Sequence, residues 1–324
     1  MKYILIIFIC CTSAFGQEWN ALETKNPCTN RHENALVGFG NSLVLVGGRG
    51  VKPVEVFEIN KGTWIKKAAT PIEIHHFQAV VFKKELWILG AFTGNYPHET
   101  PIPNIYIYNF EKDEWRVGPE IPKDRLRGSA GVFVYHNKIY MVCGILDGHW
   151  AGHVSWLDEY DPKTNTWRKL ADAPHARDHF QAAVIDNKIY VAGGRRTSAK
   201  TNEVLTLTES AVDVYDFNTN SWATLPADSN LPTARAGTSS VVFNEKLMVI
   251  GGESTSQKES HAQAEIFNTK TQKWETSSNL KSGRHGTGAV LLKDKIYVVA
   301  GSGNRGGGPE LNTIEVFKIN KKIR

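Results

Sequence analysis

Cysteine is scarce in this chain of 324 residues: Cys10, Cys11, Cys28 and Cys143 are all it has. The first two fall in an apolar leader, so a small disulfide-stapled scaffold is excluded and at most one bridge joins the other two. Cys143 sits inside an apolar strand pattern, which favours two free thiols. No Asn-x-Ser/Thr sequence occurs anywhere, which leans toward a bacterial exported protein over a glycosylated eukaryotic one. Charge of one sign is never concentrated. The balance of 38 basic against 33 acidic residues gives +5, and no dense Lys/Arg run appears, so nucleic-acid binding has little support. Helix-period patterning is nearly missing as well. Beyond the leader, no stretch approaches the roughly 18 apolar residues that a membrane span needs.

What is present begins with that leader. Residues 1–16, MKYILIIFICCTSAFG, carry one early cation, Lys2, then an apolar run and small residues at Ala14 and Gly16. This reads as a secretory signal peptide cut before Gln17. Its core is too short for an anchor. Acylation at Cys11 would need a small residue before it, where Cys10 stands.

The rest of the chain repeats. Apolar segments ending in small residues recur as VLVGG (44–48), WILGA (87–91), YMVCG (140–144), YVAGG (190–194), VIGG (249–252) and YVVAG (297–301), their ends 43 to 58 positions apart. Each is followed by an aromatic, and five of those aromatics by a Trp seven residues later: Phe57/Trp64, Tyr108/Trp115, Tyr160/Trp167, Tyr215/Trp222 and Phe267/Trp274. Phe317 lacks a following Trp, and Trp19 stands at the other end of the chain to supply it. In this order of strand, glycine pair, aromatic and Trp, the sequence resembles the Kelch repeat. The resemblance implies an all-β, six-bladed β-propeller over residues 17–324, a single domain closed by an N-terminal strand. Alternating stretches such as KIYVV and short turns such as HNK and DNK agree with it. Packing of the Trp residues between blades predicts a loss of about 3–5 kcal/mol for Trp167→Ala.

A four-stranded blade sends its lead-in and its second-to-third-strand loop to one face of the ring, and its tight turns to the other. The tight turns are generic, as in YHNK (135–138) and DPKTNT (161–166). The first face receives the long segments 92–104, 145–156, 195–210 and 253–262, and ten of eleven histidines. Variable loops on a rigid scaffold are where binding concentrates. Counting back seventeen residues from each small-residue end aligns the lead-ins as Arg31, Ile74, Arg127, Arg177, Arg235 and Arg284. Two positions on come Glu33, His76, Ser129, His179, Gly237 and Gly286, expected at the mouth of the central channel. His76 and His179 both open the tetrapeptide His-Phe-Gln-Ala, whose last three residues read as scaffold.

The candidate ligand-binding residues are therefore Glu33, His76, Arg127, Arg177, Asp178, His179, Arg195, Arg235, Glu253 and Arg284, with Tyr96 and Trp150 as stacking surfaces. The first functional reading is a non-catalytic module binding a carbohydrate or protein ligand on the long-loop face. The alternative is a sugar mutarotase or epimerase: exported Kelch propellers include N-acetylneuraminate mutarotases, which the chain resembles in leader, blade number and motif. Glu33, Asp178, His179 or Glu253 would then move protons, with an Arg holding a carboxylate. The chain lacks a large insertion of the kind that elaborates such sites. Galactose oxidase also carries Kelch-type blades, but Tyr96 is the lone tyrosine of the long loops, so a copper-radical site lacks its parts. No cofactor is expected. His149 and His153 are a weak metal pair, since their spacing aligns imidazoles only on a helix. With the last blade at the C-terminal end, a periplasmic or secreted protein without membrane anchor is expected.

Overall fold

A computed structural model describes residues 17–319; the leader read from residues 1–16 lies outside them. Six four-stranded antiparallel sheets form the ring. Blade 1 is Asn34–Phe39, Ser42–Gly47, Pro53–Glu58 and Thr63–Ala69. Blade 2 is Val80–Phe82, Glu85–Ile88, Asn104–Asn109 and Glu114–Glu120. Blade 3 is Gly131–Tyr135, Lys138–Val142, Leu157–Asp161 and Thr166–Lys169. Blade 4 is Ala182–Ile185, Lys188–Val191, Asp213–Asp216 and Ser221–Thr224. Blade 5 is Ser239–Phe243, Lys246–Ile250, Ala264–Asn268 and Lys273–Thr276. Blade 6 takes Ala289–Leu292, Lys295–Val299 and Ile314–Lys318 from the C-terminal end and Trp19–Leu22 from the N-terminal end. Trp19 lies opposite Phe317 in that pairing, with ring centroids 5.4 Å apart. The expected closure by the N-terminal strand is what forms.

Strand periodicity explains why the second strands are apolar throughout. Successive side chains point to opposite faces, and in a propeller both faces of a blade are covered. Val44 and Val46 pack toward blade 2, whereas Leu43 and Leu45 pack toward blade 6. The described residues divide into apolar clusters of this kind at each of the six blade junctions. The aromatic–Trp pairs sit opposite one another on third and fourth strands, 5.1 Å apart for Phe57/Trp64 and 4.8 Å for Tyr160/Trp167. Trp167 is only half-buried, unlike Trp19 and Trp64, because its outer strand leaves part of the indole to solvent. The loss expected for Trp167→Ala shrinks accordingly.

The arginines of the lead-ins have an internal task. Arg31, Arg127, Arg177, Arg235 and Arg284 each reach the carbonyl sixteen residues on, at Gly47, Cys143, Gly193, Gly251 and Ala300. Each also pairs with a third-strand carboxylate two residues before the blade's aromatic: Glu55, Asp158, Asp213, Glu265 and Glu315. Blade 2 replaces both charges at once, with Ile74 and Tyr106 in one apolar cluster. A buried cation without its anion would be costly, so the two positions change together. The tight approach at the end of the second strand explains the glycine there. A Cβ on Gly251, at φ +63°, would stand 2.2 Å from the Arg284 carbonyl oxygen.

Cys28 and Cys143 are both free and buried. No described helix is long and apolar enough to cross a membrane.

Candidate functional site

The first residues of the inner strands are preceded by a ring of left-handed backbone. Glu33, His76, Ser129, His179, Gly237 and Gly286 have φ of 54–65°. Backbone bonds pass around the ring, from His76 N–H to the Glu33 carbonyl, Ser129 to His76, Gly237 to His179 and Gly286 to Gly237. This turn brings each lead-in to the channel axis. Blades 5 and 6 use glycine for it, whereas four blades keep a side chain in a conformation that non-glycine residues rarely adopt. All six residues line the channel mouth together.

Below the ring, the shared tetrapeptide acts as scaffold. The Gln78 carboxamide oxygen accepts from the Val132 and Ala182 N–H groups at 2.9 Å, and its nitrogen donates to the Ala182 carbonyl at 3.0 Å. Gln181 repeats the device with the Ser240 N–H and the Thr287 carbonyl.

Above the ring opens a cavity of about 680 Å³. Lead-ins and second-to-third-strand loops alone line it, which is the face assigned from strand parity. On one wall Glu33, Arg195, Glu253 and His285 converge. His285 Nδ1 donates to Ser260 Oγ at 2.9 Å, because that hydroxyl itself donates to the Ser302 carbonyl at 2.8 Å. His285 Nε2 is left facing two carboxylates, 3.4 Å from Glu253 Oε2 and 3.7 Å from Glu33 Oε1. Arg195 pairs with Glu253, and the Gly306 N–H donates to it at 2.6 Å. Burial pushes the Glu253 carboxyl up, but His285 and Arg195 outweigh that and hold it well below the usual carboxylate range. Glu33 is lowered too: burial raises it, and His32, His285 and His179 more than compensate.

The opposite wall carries Arg49, Tyr96 and His149. Tyr96 is 57% exposed, with its ring 5.3 Å from that of His149. His149 is held by both oxygens of Glu99, at 2.9 and 3.0 Å, and Arg49 pairs with the same carboxylate at 2.7 Å. Between the walls stand His76 and His179, lowered first by their burial. Asp178 lies behind His179 and accepts from its Nδ1, while Thr197 N–H donates to the same carboxylate at 3.0 Å.

Of the residues singled out from sequence, Glu33, His76, Arg195, Glu253 and Tyr96 line the cavity. His179 reaches the channel mouth, and Asp178 supports it from behind. Arg127, Arg177, Arg235 and Arg284 lie inside their blades, each bound to its own carboxylate. Trp150 lies tilted against His98, with ring centroids 4.6 Å apart, on a loop-face hairpin instead of joining the wall. The same hairpin separates the weak metal pair: His149 turns inward, while His153 pairs along the strand with Ile145. Sequence reading missed His285, Arg49 and Glu99. His285 had a signal, because it stands between Arg284 and Gly286, where Asp178 stands between Arg177 and His179.

The Attractin/LZTR1 beta-propeller family model matches residues 7–258, and a Kelch motif matches residues 283–322. The chain belongs to the Attractin/LZTR1 beta-propeller family. Among similar proteins, this Kelch propeller is 28% identical to Kelch-like protein terF of Aspergillus terreus, over 69% of the chain and 50% of that protein. It is 23% identical to human Kelch-like protein 38, over 65% of the chain and 35% of that protein. The chain spans half or less of these relatives. The structure titled "Structure of YjhT" superposes with a TM-score of 0.76 at 16% identity, covering 93% of this chain and 98% of that one. At that identity the likeness is one of fold.

Proposed function

We propose that this Kelch propeller is a sugar mutarotase or epimerase, acting on a reducing sugar in the loop-face cavity. The observation that carries the reading is the His285 imidazole between two buried carboxylates on the cavity wall. Opening a pyranose ring needs one proton to leave the anomeric hydroxyl and another to reach the ring oxygen. Both oxygens hang on one carbon, so acid and base must be neighbours. Arg195 and the Gly306 N–H tie Glu253 to its charge and make it a weak base. Glu33 therefore takes the anomeric proton, and His285, carrying a second hydrogen on the Nε2 that faces Glu33 and Glu253, gives that proton to the ring oxygen as its bond to the anomeric carbon breaks. Reclosure on the other face returns both protons. Tyr96 offers an exposed ring for stacking a sugar. Arg195 and Arg49 already hold carboxylates, which favours a neutral sugar over an acidic one.

Anomer exchange followed by NMR, with neutral aldoses and sialic acid in parallel, tests this. Glu33→Gln and His285→Gln are each expected to lose about 100-fold or more of the acceleration, with melting temperature preserved. Binding without acceleration by the unaltered chain would leave a carbohydrate-binding module, and no effect of any sugar would turn attention to a protein ligand. Export through residues 1–16 belongs to the same reading, and the mature protein is expected to begin at Gln17.

A further inference from the structure

The imidazoles of His76, His149 and His179 form a near-equilateral triangle, with ring centroids 5.0, 4.9 and 4.8 Å apart. One nitrogen from each lies within 4.8 Å of the other two. The hydrogen on each ring can be placed from its outer partner. His149 Nδ1 faces both oxygens of Glu99, and His179 Nδ1 faces Asp178, so both nitrogens donate. His76 Nδ1 lies 2.6 Å from His75 Nδ1. His75 Nε2 faces the Gly94 carbonyl at 3.0 Å, and a carbonyl only accepts. A neutral imidazole carries one hydrogen, so His75 offers a lone pair and His76 Nδ1 donates to it.

Every Nδ1 is thus occupied, and every Nε2 turns a lone pair inward. His149 Nε2 and His179 Nε2 are 3.2 Å apart with no hydrogen between them. Glu33 Oε2 lies 3.1 Å from His76 Nε2, again acceptor against acceptor. A positive centre would satisfy all these contacts together. We propose that His76, His149 and His179 form a transition-metal site, binding zinc or copper(II) through their Nε2 atoms, with a fourth position open to the cavity beside Glu33. Imidazole ligands suit those ions, and tetrahedral bonds of about 2.0–2.1 Å set the nitrogens about 3.4 Å apart, close to the shortest edge here. Glu99, Asp178 and His75 are then the outer partners that such ligands require. The strained left-handed backbone at His76 and His179 places two of the three rings. The proposal stands independently of the sugar reading, since its readout is the metal itself.

Full chain, stripped with chelator and dialysed, would be titrated with Zn²⁺ by calorimetry and with Co²⁺ by absorption. One equivalent is expected, with Co²⁺ giving the intense visible bands of a low-coordinate site. Glu99→Gln is expected to weaken binding by about 10- to 100-fold, His149→Ala to weaken it further, and His153→Ala on the same hairpin to leave it unchanged. No stoichiometric binding by the unaltered chain, or equal binding by His149→Ala, would overturn the site. The Co²⁺ spectrum of the unaltered chain decides the matter even if a variant fails to fold.

Discussion

Arg177 and Asp213 meet at 2.5 Å with no exposed side-chain surface, and the same pairing recurs at four other blades. Arg177→Ala leaves a buried carboxylate without its cation, and a loss of about 3–5 kcal/mol in denaturant melts is expected. Any effect of that substitution on a ligand would follow from stability, because Arg177 does not line the cavity. Cys143 makes a second prediction at this scale. Burial pushes its thiol up to about 12 from an ordinary value near 9. Between those values the unfolded chain releases the proton and the folded chain keeps it. Stability from this residue is therefore complete below pH 9 and falls by about 1.4 kcal/mol per pH unit above it. Cys143→Ala is expected to flatten the alkaline limb of a stability profile by that amount, and thiol reagents should modify Cys143 only after unfolding.

At the scale of the element, the inner strands are joined by side chains as well as by packing. Gln181 is buried and gives the Ser240 N–H its acceptor at 2.8 Å. Gln181→Leu keeps the volume but strands that N–H, for an expected cost of about 1–3 kcal/mol by chemical denaturation. The outer strands behave differently. Trp19 has no exposed surface, and Trp19→Ala is expected to cost about 3–5 kcal/mol, with Trp167→Ala clearly less because its indole is partly solvated. Equal losses in the two variants would contradict the difference in burial.

For the whole molecule, closure depends on Trp19–Leu22 pairing with the four residues from Ile314 to Phe317. Deleting residues 17–22 uncovers the Ile314–Lys318 edge and removes Trp19 from the last junction. A lower melting temperature together with self-association by light scattering is expected, since an unpaired edge recruits further strands. A monomer of unchanged stability would mean that the N-terminal strand is dispensable. The cavity is also a property of the ring as a whole. Its walls come from blades 1, 2, 3, 4, 5 and 6, so no blade holds the site alone.

The sequence by itself determined the propeller, its blade number and the strand that closes it. Those follow from local order read through the resemblance to the Kelch repeat: alternation along each strand, the glycine before each third strand, and aromatics paired seven residues apart. It also marked the face on which the cavity opens, because strand parity sends each loop to one side or the other. Much of the candidate site was legible on that basis, in Glu33, His76, Tyr96, Arg195 and Glu253 on the cavity and His179 at the channel mouth. Only the tertiary structure showed that the lead-in arginines turn inside their blades, whereas Arg49 and Arg195, from loops between second and third strands, stand on the cavity wall. It alone brought His149 across to His76 and His179, residues 73 and 30 positions away. A period in the chain reports what every blade must do to pack. Convergence at the axis depends on loops of unequal length folding over the ring, and no local pattern records where their side chains meet.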